Sequence, residues 1–259
     1  MLRVRFTAED LLRVRMAEEP APLMELGLAL MTLTRPADPV FLRWRRRAQQ
    51  SLPPQARPML DLLSPTGKSP LFLDPPTAGF AEGMDAVRST PRAYVRSELL
   101  RVRAPERPRA RWARGLADGD RESWQLLDRS MTAAYESLLA GAWPRVRAGF
   151  HAEAAWRARS LARHGLLATL TGLSPSARWD GMTLEFPRAY NREVRLTGQG
   201  LVLFPSLLWT AYPLIAPQPE GPAVLVYPAV TPLPLQEAAT APTPSTPSSA
   251  PPARRCSGC

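Results

Sequence analysis

Apolar and polar residues alternate from the first position of the chain, Leu2, Val4 and Phe6 against Arg3 and Arg5. That period of two predicts a short strand over residues 2 to 6. Thr7 and Asp10 then have the spacing of a capping box, opening a helix into Leu11, Leu12 and Val14. Leu26, Leu30 and Leu33 recur at helical spacing within Leu23 to Leu33, and Pro36 and Pro39 end that segment. A further helix is expected around Val40 to Gln50, before Pro53 and Pro54. From Ser51 to Pro76 the chain is rich in proline, which reads as loops around one short helix, Pro58 to Leu63, and one apolar run, Leu71 to Leu73.

The middle of the chain has the strongest helical pattern. Thr90 followed by Pro91 predicts a cap and a first-turn proline, with the helix running to about Val102. Arg109 to Ala117 forms a second helix, closed by Gly119. Asp120 caps a long third one, with Trp124, Leu127, Met131, Tyr135, Leu138 and Ala142 on one face. Pro144 opens another, with Val146, Phe150, Ala154 and Leu161 on one side and Gly165 as its stop. Only Gly141 to Trp143 separate the last two, so an antiparallel helical hairpin is expected.

The pattern shifts near residue 174. Thr183 to Phe186, Glu193 to Thr197, Leu201 to Phe204 and Ala223 to Tyr227 read as strands, with Thr197 to Gly200 as a hairpin turn. Residues 198 to 219 carry no charge, but Pro205, Pro213 and Pro217 interrupt them, which fits a buried strand pair better than a membrane-spanning helix. The predicted fold class is α+β: a mostly helical domain with a small, mainly antiparallel sheet formed by the N-terminal strand and the C-terminal strands. It covers residues 1 to 235. Residues 236 to 259 form a Pro/Thr/Ser/Ala-rich tail without periodicity, expected to be disordered.

Composition changes this picture little. With 45% hydrophobic and 22% charged residues, the chain can bury a core, which excludes collagen, coiled coil and wholesale disorder. The net charge of +10 points conventionally to an anionic partner. Lys68 is the only lysine, however, and Asn191 and Ile215 are the only residues of their types. That bias is the mark of a GC-rich coding sequence, so the arginine-rich composition carries little functional information, while the charge itself is real. Both cysteines, Cys256 and Cys259, stand at the C-terminal end, so no disulfide framework is expected in the body. No secretory signal pattern opens the chain, and a cytoplasmic location is expected.

The chemistry-bearing residues are few. His151 and His164 lie 13 positions apart without a carboxylate or cysteine at ligand spacing, and no metal or other cofactor is expected. No nucleophile elbow, phosphate loop or dinucleotide fingerprint is present, so the chain does not read as an enzyme. Cys256 and Cys259 match a C-x-x-C spacing without the context that redox, zinc or lipid chemistry needs. Between Arg88 and Arg114 nine arginines face two acids, and Arg88, Arg92 and Arg96 recur every four residues. They form either a solvated face or contacts to phosphates or a partner. Arg43, Arg45, Arg46 and Arg47 beside Trp44 pose the same choice. Trp124, Tyr135, Trp143 and Phe150, on the two long helices, are either core or the lining of an apolar ligand pocket.

Several segments in order carry a family resemblance: MLRVRFTAEDLLRVR (Met1 to Arg15), FLRWRRR (Phe41 to Arg47), AVRSTPRAYVR (Ala86 to Arg96), WARGLADGD (Trp112 to Asp120), WPRVR (Trp143 to Arg147), LVLFPS (Leu201 to Ser206) and VLVYP (Val224 to Pro228). Over about residues 1 to 235 the chain resembles the N-terminal regulatory part of bacterial ArsR-like winged-helix transcriptional regulators. The resemblance implies a sensor and dimerisation domain that controls transcription in response to a small-molecule effector, as a homodimer. In such regulators a C-terminal winged helix-turn-helix contacts DNA. No such pattern follows Leu235 here, so DNA is expected as a partner only where a winged-helix domain is supplied. A frameshift or truncation that replaced that domain by an arbitrary tail fits the sequence. The alternative expectation is a stand-alone small-molecule-binding protein without DNA binding; no membrane partner is expected.

Overall fold

A computed structural model describes residues 1–35, 38–63, 68–102, 110–188, 191–218 and 221–234. Its helices are α1 (Ala8–Leu12), α2 (Pro22–Thr34), α3 (Leu42–Ser51), α4 (Phe80–Arg88), α5 (Arg92–Arg101), α6 (Arg111–Asp118), α7 (Arg121–Leu138) and α8 (Trp143–Thr171). Its strands are β1 (Leu2–Arg5), β2 (Val14–Met16), β3 (Arg178–Asp180), β4 (Thr183–Phe186), β5 (Arg192–Arg195), β6 (Leu201–Ser206), β7 (Leu214–Ala216) and β8 (Ala223–Pro228). Short 3₁₀ turns at Pro39–Phe41, Pro54–Leu62, Leu71–Leu73 and Ala140–Ala142 join them. The fold is mostly helical α+β, as the sequence predicts.

The strands form two four-stranded sheets, ordered β3-β4-β1-β5 and β2-β6-β8-β7. Strand pairing departs from the expected, mainly antiparallel arrangement. β1 with β5, β2 with β6 and β6 with β8 run parallel, while β1 with β4, β3 with β4 and β7 with β8 run antiparallel. Parallel pairing follows from burial on two sides. Val202, Phe204, Val224 and Val226 face the helices, whereas Leu201, Leu203, Leu225 and Tyr227 face β1 and β4. The β6–β8 pair is therefore the middle layer, helices on one side and the other sheet on the other, and its strands are continuous apolar runs. The two uncharged strands β6 and β7 do not pair with each other, because β8 lies between them.

The N-terminus ties the layers together. Leu2 and Val4 are fully buried, while Arg3 and Arg5 on the outer face pair with Glu185 at 2.7 Å and Glu193 at 3.1 Å. Thr7 and Asp10 form the expected capping box. The other Asp10 oxygen accepts the Gly200 amide at 2.9 Å, which clamps α1 to the chain between β5 and β6. That clamp explains two differences from expectation. The helix stops at Leu12, and Val14 begins β2, the partner of β6. Residues 197 to 200 form no hairpin, since β5 and β6 belong to different sheets.

α2 is the central helix, buried almost all round, which fits its near-absence of polar residues. The exception is Glu25, fully buried, whose carboxylate accepts the Ser206 hydroxyl at 2.9 Å and the Leu207 amide at 3.0 Å. Loss of water pushes its carboxyl up to about 7, against the pull of those hydrogen bonds. Gly119 and the Asp120 cap separate α6 from α7 as expected. α7 packs on residues 54 to 62 and on α2, while α8 covers β6 through Phe150 and Phe204, 5.2 Å apart. The two long helices thus make no extended contact, and the expected hairpin does not form. Thr90 closes α4, donating to Ala86 O at 3.0 Å, and Pro91 takes the cap position of α5. Helical geometry breaks at Gly165, where φ is +80° and favours glycine, before a last turn to Thr171.

Candidate functional site

The four aromatics read as a pocket lining are distributed over three places. Tyr135 stacks on Phe80 at 4.2 Å and meets Trp143 edge-on at 6.2 Å. Trp124 donates its indole N–H to Leu116 O at 3.2 Å and lies 6.4 Å from Phe72. Phe150 is fully buried against Phe204. None of them lines the four cavities described for this chain.

The arginine series divides between two helices. Arg88, on α4, pairs with Asp85 at 2.8 Å and Asp128 at 3.1 Å, and Arg96, on α5, with Asp118 at 3.4 Å. Arg92 is exposed on α5, its guanidinium against Gly119. Carboxylates therefore already balance two of the three charges. His151 lies 3.4 Å from Glu19 at the surface, and His164 is exposed just before the break in α8. Among the described residues, no group of three or more His, Cys, Asp or Glu side chains is placed to hold a metal ion, and no helix is long and apolar enough to cross a membrane. Cys256, Cys259 and the tail lie outside the described residues.

A different cavity combines the features of a ligand site. It measures about 80 Å³ and lies between α2 and the β7–β8 edge. Met24, Leu28 and Met31, one stripe of α2, line it together with Leu214, Ile215 and Val226. Its polar wall comes from Lys68, Ser69, Asp74, Arg101, Arg188 and Arg192. The volume is far below the roughly 300–1,000 Å³ of drug-sized pockets, which limits the occupant to a small molecule.

Local sequence explains how the polar wall is set. Asp74 ends the Leu71–Leu73 turn, and its carboxylate accepts the Ser69 hydroxyl at 2.6 Å. It lies directly against Gly27 of α2, where a Cβ would collide with Oδ1. Enclosure pushes the Asp74 carboxyl up to about 7, in spite of the Ser69 hydrogen bond and the nearby Arg101 charge. Near neutral pH Asp74 is thus divided between its acid and its anion. Glu98, buried on α5, fixes the same loop: it accepts the Leu71 amide at 2.6 Å and both Nε and Nη2 of Arg101, at 2.8 and 2.6 Å. Arg101 Nη2 also reaches Ser69 O at 2.8 Å. On the opposite side the Arg188 guanidinium lies 3.8 Å over the Tyr212 ring, and Arg35 donates to the Tyr212 hydroxyl at 3.0 Å. Burial raises that phenol, but the hydrogen bonds from Arg188 and Arg35 outweigh it and hold the group below its ordinary value.

An apolar floor, several cations and one proton-exchanging carboxyl suit a small molecule with an acidic group and a short apolar body. Sequence reasoning missed every polar residue of this wall. The sole signal was Asp74 itself, a charge directly after the apolar run Leu71 to Leu73. Comparison with known proteins adds no neighbour: no family model, no curated protein and no solved structure matches this chain.

Proposed function

We propose that this chain is the effector-sensing part of a transcriptional regulator of the ArsR-like type, and that its effector is a small organic acid bound in the cavity between α2 and the β7–β8 edge. The observation that supports this reading is the composition of that cavity, an apolar stripe of α2 facing Lys68, Arg188 and Arg192 with Asp74 among them. The link to transcription rests on the segment resemblance over residues 1 to 235. Sensing here is non-covalent. A ligand that prefers one arrangement of the 68–74 loop against α2 shifts the population of that arrangement, and a dimer or an attached winged helix reads the shift. The exposed arginine pairs give weak, salt-sensitive attraction to nucleic acid, while groove reading belongs to a winged helix.

Mass spectrometry of the small molecules retained by the purified protein from a bacterial metabolite extract tests the sensing step. The expected result is a small acid retained by the wild type and lost in Leu28→Trp, which fills the floor of the cavity. An identical retained set for both proteins would refute this assignment of the site. A gel-shift titration of the chain over a salt series tests the division of labour: steeply salt-dependent binding without sequence preference is expected, and sequence-specific binding would overturn it.

A further inference from the structure

Tyr212, which carries Arg188 at the first cavity, also lines a second hollow of about 650 Å³ together with Trp156, Arg157, Gly172, Pro175 and Val230. A neighbouring recess of about 250 Å³ shares Trp156 and Val230 and reaches Glu153. The hollow opens where residues 210 to 212 and 228 to 230 follow the carboxyl ends of the parallel region formed by β6 and β8. Open parallel sheets bind ligands at that end.

Its polar equipment is built in and incompletely used. Arg157 is only 3% exposed. Its Nε donates to Glu153 Oε1 at 2.9 Å and its Nη1 to Gly172 O at 2.8 Å. The guanidinium carbon lies 4.4 Å from the Trp156 ring centroid and 5.1 Å from that of Tyr227. The group is thus fixed in position, while Nη2 donates to no protein acceptor. Next to it the Tyr227 hydroxyl, within the field of Arg157 and Glu153, is fully enclosed and has no hydrogen-bond partner. Two neighbouring buried donors without acceptors are costly and rare in folded proteins.

Charge decides what they take. Glu153, 7% exposed, neutralises Arg157, and its second oxygen accepts the Val230 amide at 3.1 Å. Among the described residues lining the two spaces, Arg157 and Glu153 are the only charged ones. An entering carboxylate or phosphate meets Glu153 as closely as Arg157, with no further cation to offset its loss of water. A carbonyl oxygen has two lone pairs and no charge to desolvate. We infer that this hollow binds an uncharged aromatic ligand whose carbonyl oxygen accepts from Arg157 Nη2 and Tyr227 Oη and whose ring lies against Trp156. The site is independent of the acid-binding cavity and stands or falls separately from it.

Three probes with one ring and different head groups test the inference: benzamide, benzoate and toluene. The readout is the Trp156 indole N–H resonance in a ¹⁵N spectrum of the whole chain, assigned by its loss in Trp156→Phe at this half-exposed position. Benzamide is expected to shift that resonance saturably, at a concentration at least about tenfold below any effect of benzoate or toluene, because a site with hydrogen-bond donors rejects analogues that leave them unpaired. Tyr227→Phe should weaken benzamide several-fold while leaving the melting temperature unchanged or raised, since the hydroxyl it removes has no partner. That result separates ligand binding from a structural role, and it holds even where Arg157→Lys fails to fold. Benzoate binding as tightly as benzamide would make the hollow an anion site, equal toluene binding would make it a plain apolar cleft, and no shift with any probe would leave both donors to solvent. Each of these outcomes overturns the inference.

Discussion

Replacing Glu25 with glutamine should make the protein more stable at alkaline pH and remove a pH dependence that the wild type carries. The carboxyl is fully buried against Ser206 and Leu207 and titrates at about 7 in the folded chain, against an ordinary value of 4.5. A raised carboxyl pKa means that the folded state holds its proton where the unfolded chain has released it. The contribution is therefore fully present below pH 4.5 and is lost as pH rises towards and through 7. Integrating the linkage between those two values gives a loss of about 2–3 kcal/mol from pH 5 to pH 8, a large share of the 5–15 kcal/mol that stabilises a typical domain. Glutamine keeps an acceptor for the Leu207 amide and offers Ser206 a donor, so the geometry survives without the buried charge. Urea denaturation of both proteins at pH 5, 6.5 and 8 measures the effect, and taking differences between them cancels the contribution of Asp74. Parallel stability curves for the two proteins, with no divergence between pH 5 and 8, would refute the reasoning.

Three other substitutions test the remaining framework. Gly27→Ala places a methyl group on Asp74 Oδ1; a loss of about 1–3 kcal/mol, as for an overpacked core, is expected in chemical denaturation, together with weaker retention of the small acid. Asp10→Ala removes the capping box and the acceptor for the Gly200 amide, and should cost about 2 kcal/mol or more by the same assay. The Asp10 carboxyl is raised by burial, but hydrogen bonds from Thr7, Gly200 and Gly198 outweigh this and hold it below its ordinary value; its contribution is present above the unfolded value and fades as pH falls through the depressed one. Arg96→Ala, at an exposed pair with Asp118, should change stability by less than about 1 kcal/mol and leave ligand retention intact; a larger loss in thermal denaturation would show that the arginine face supports the fold.

Local devices were legible in the sequence because they close within a few residues. The Thr7–Asp10 box, the stop at Gly119, the Asp120 cap and the apolar stripe of α7 each need only spacing and residue type. Pairings that close over long stretches of chain were not. β2 follows α1 so closely that Val14 fits the helical pattern as well as the strand it forms, and only its partner, β6, decides between them. The same limit hid the chemistry. Glu153 and Arg157 at i, i+4 read like any solvated surface pair, yet residues 227 to 230 of a later strand and its exit cover them, and the pair changes from a screened contact to the buried anchor of a hollow. Glu25 likewise gains its altered titration from Ser206 and Leu207, 181 and 182 positions away. In this chain the groups with perturbed protonation or unmet hydrogen bonds stand where the middle layer of strands meets the helices, because enclosure there depends on both partners. Those are also the positions at which a ligand can restore hydrogen bonds that the chain alone leaves unmade.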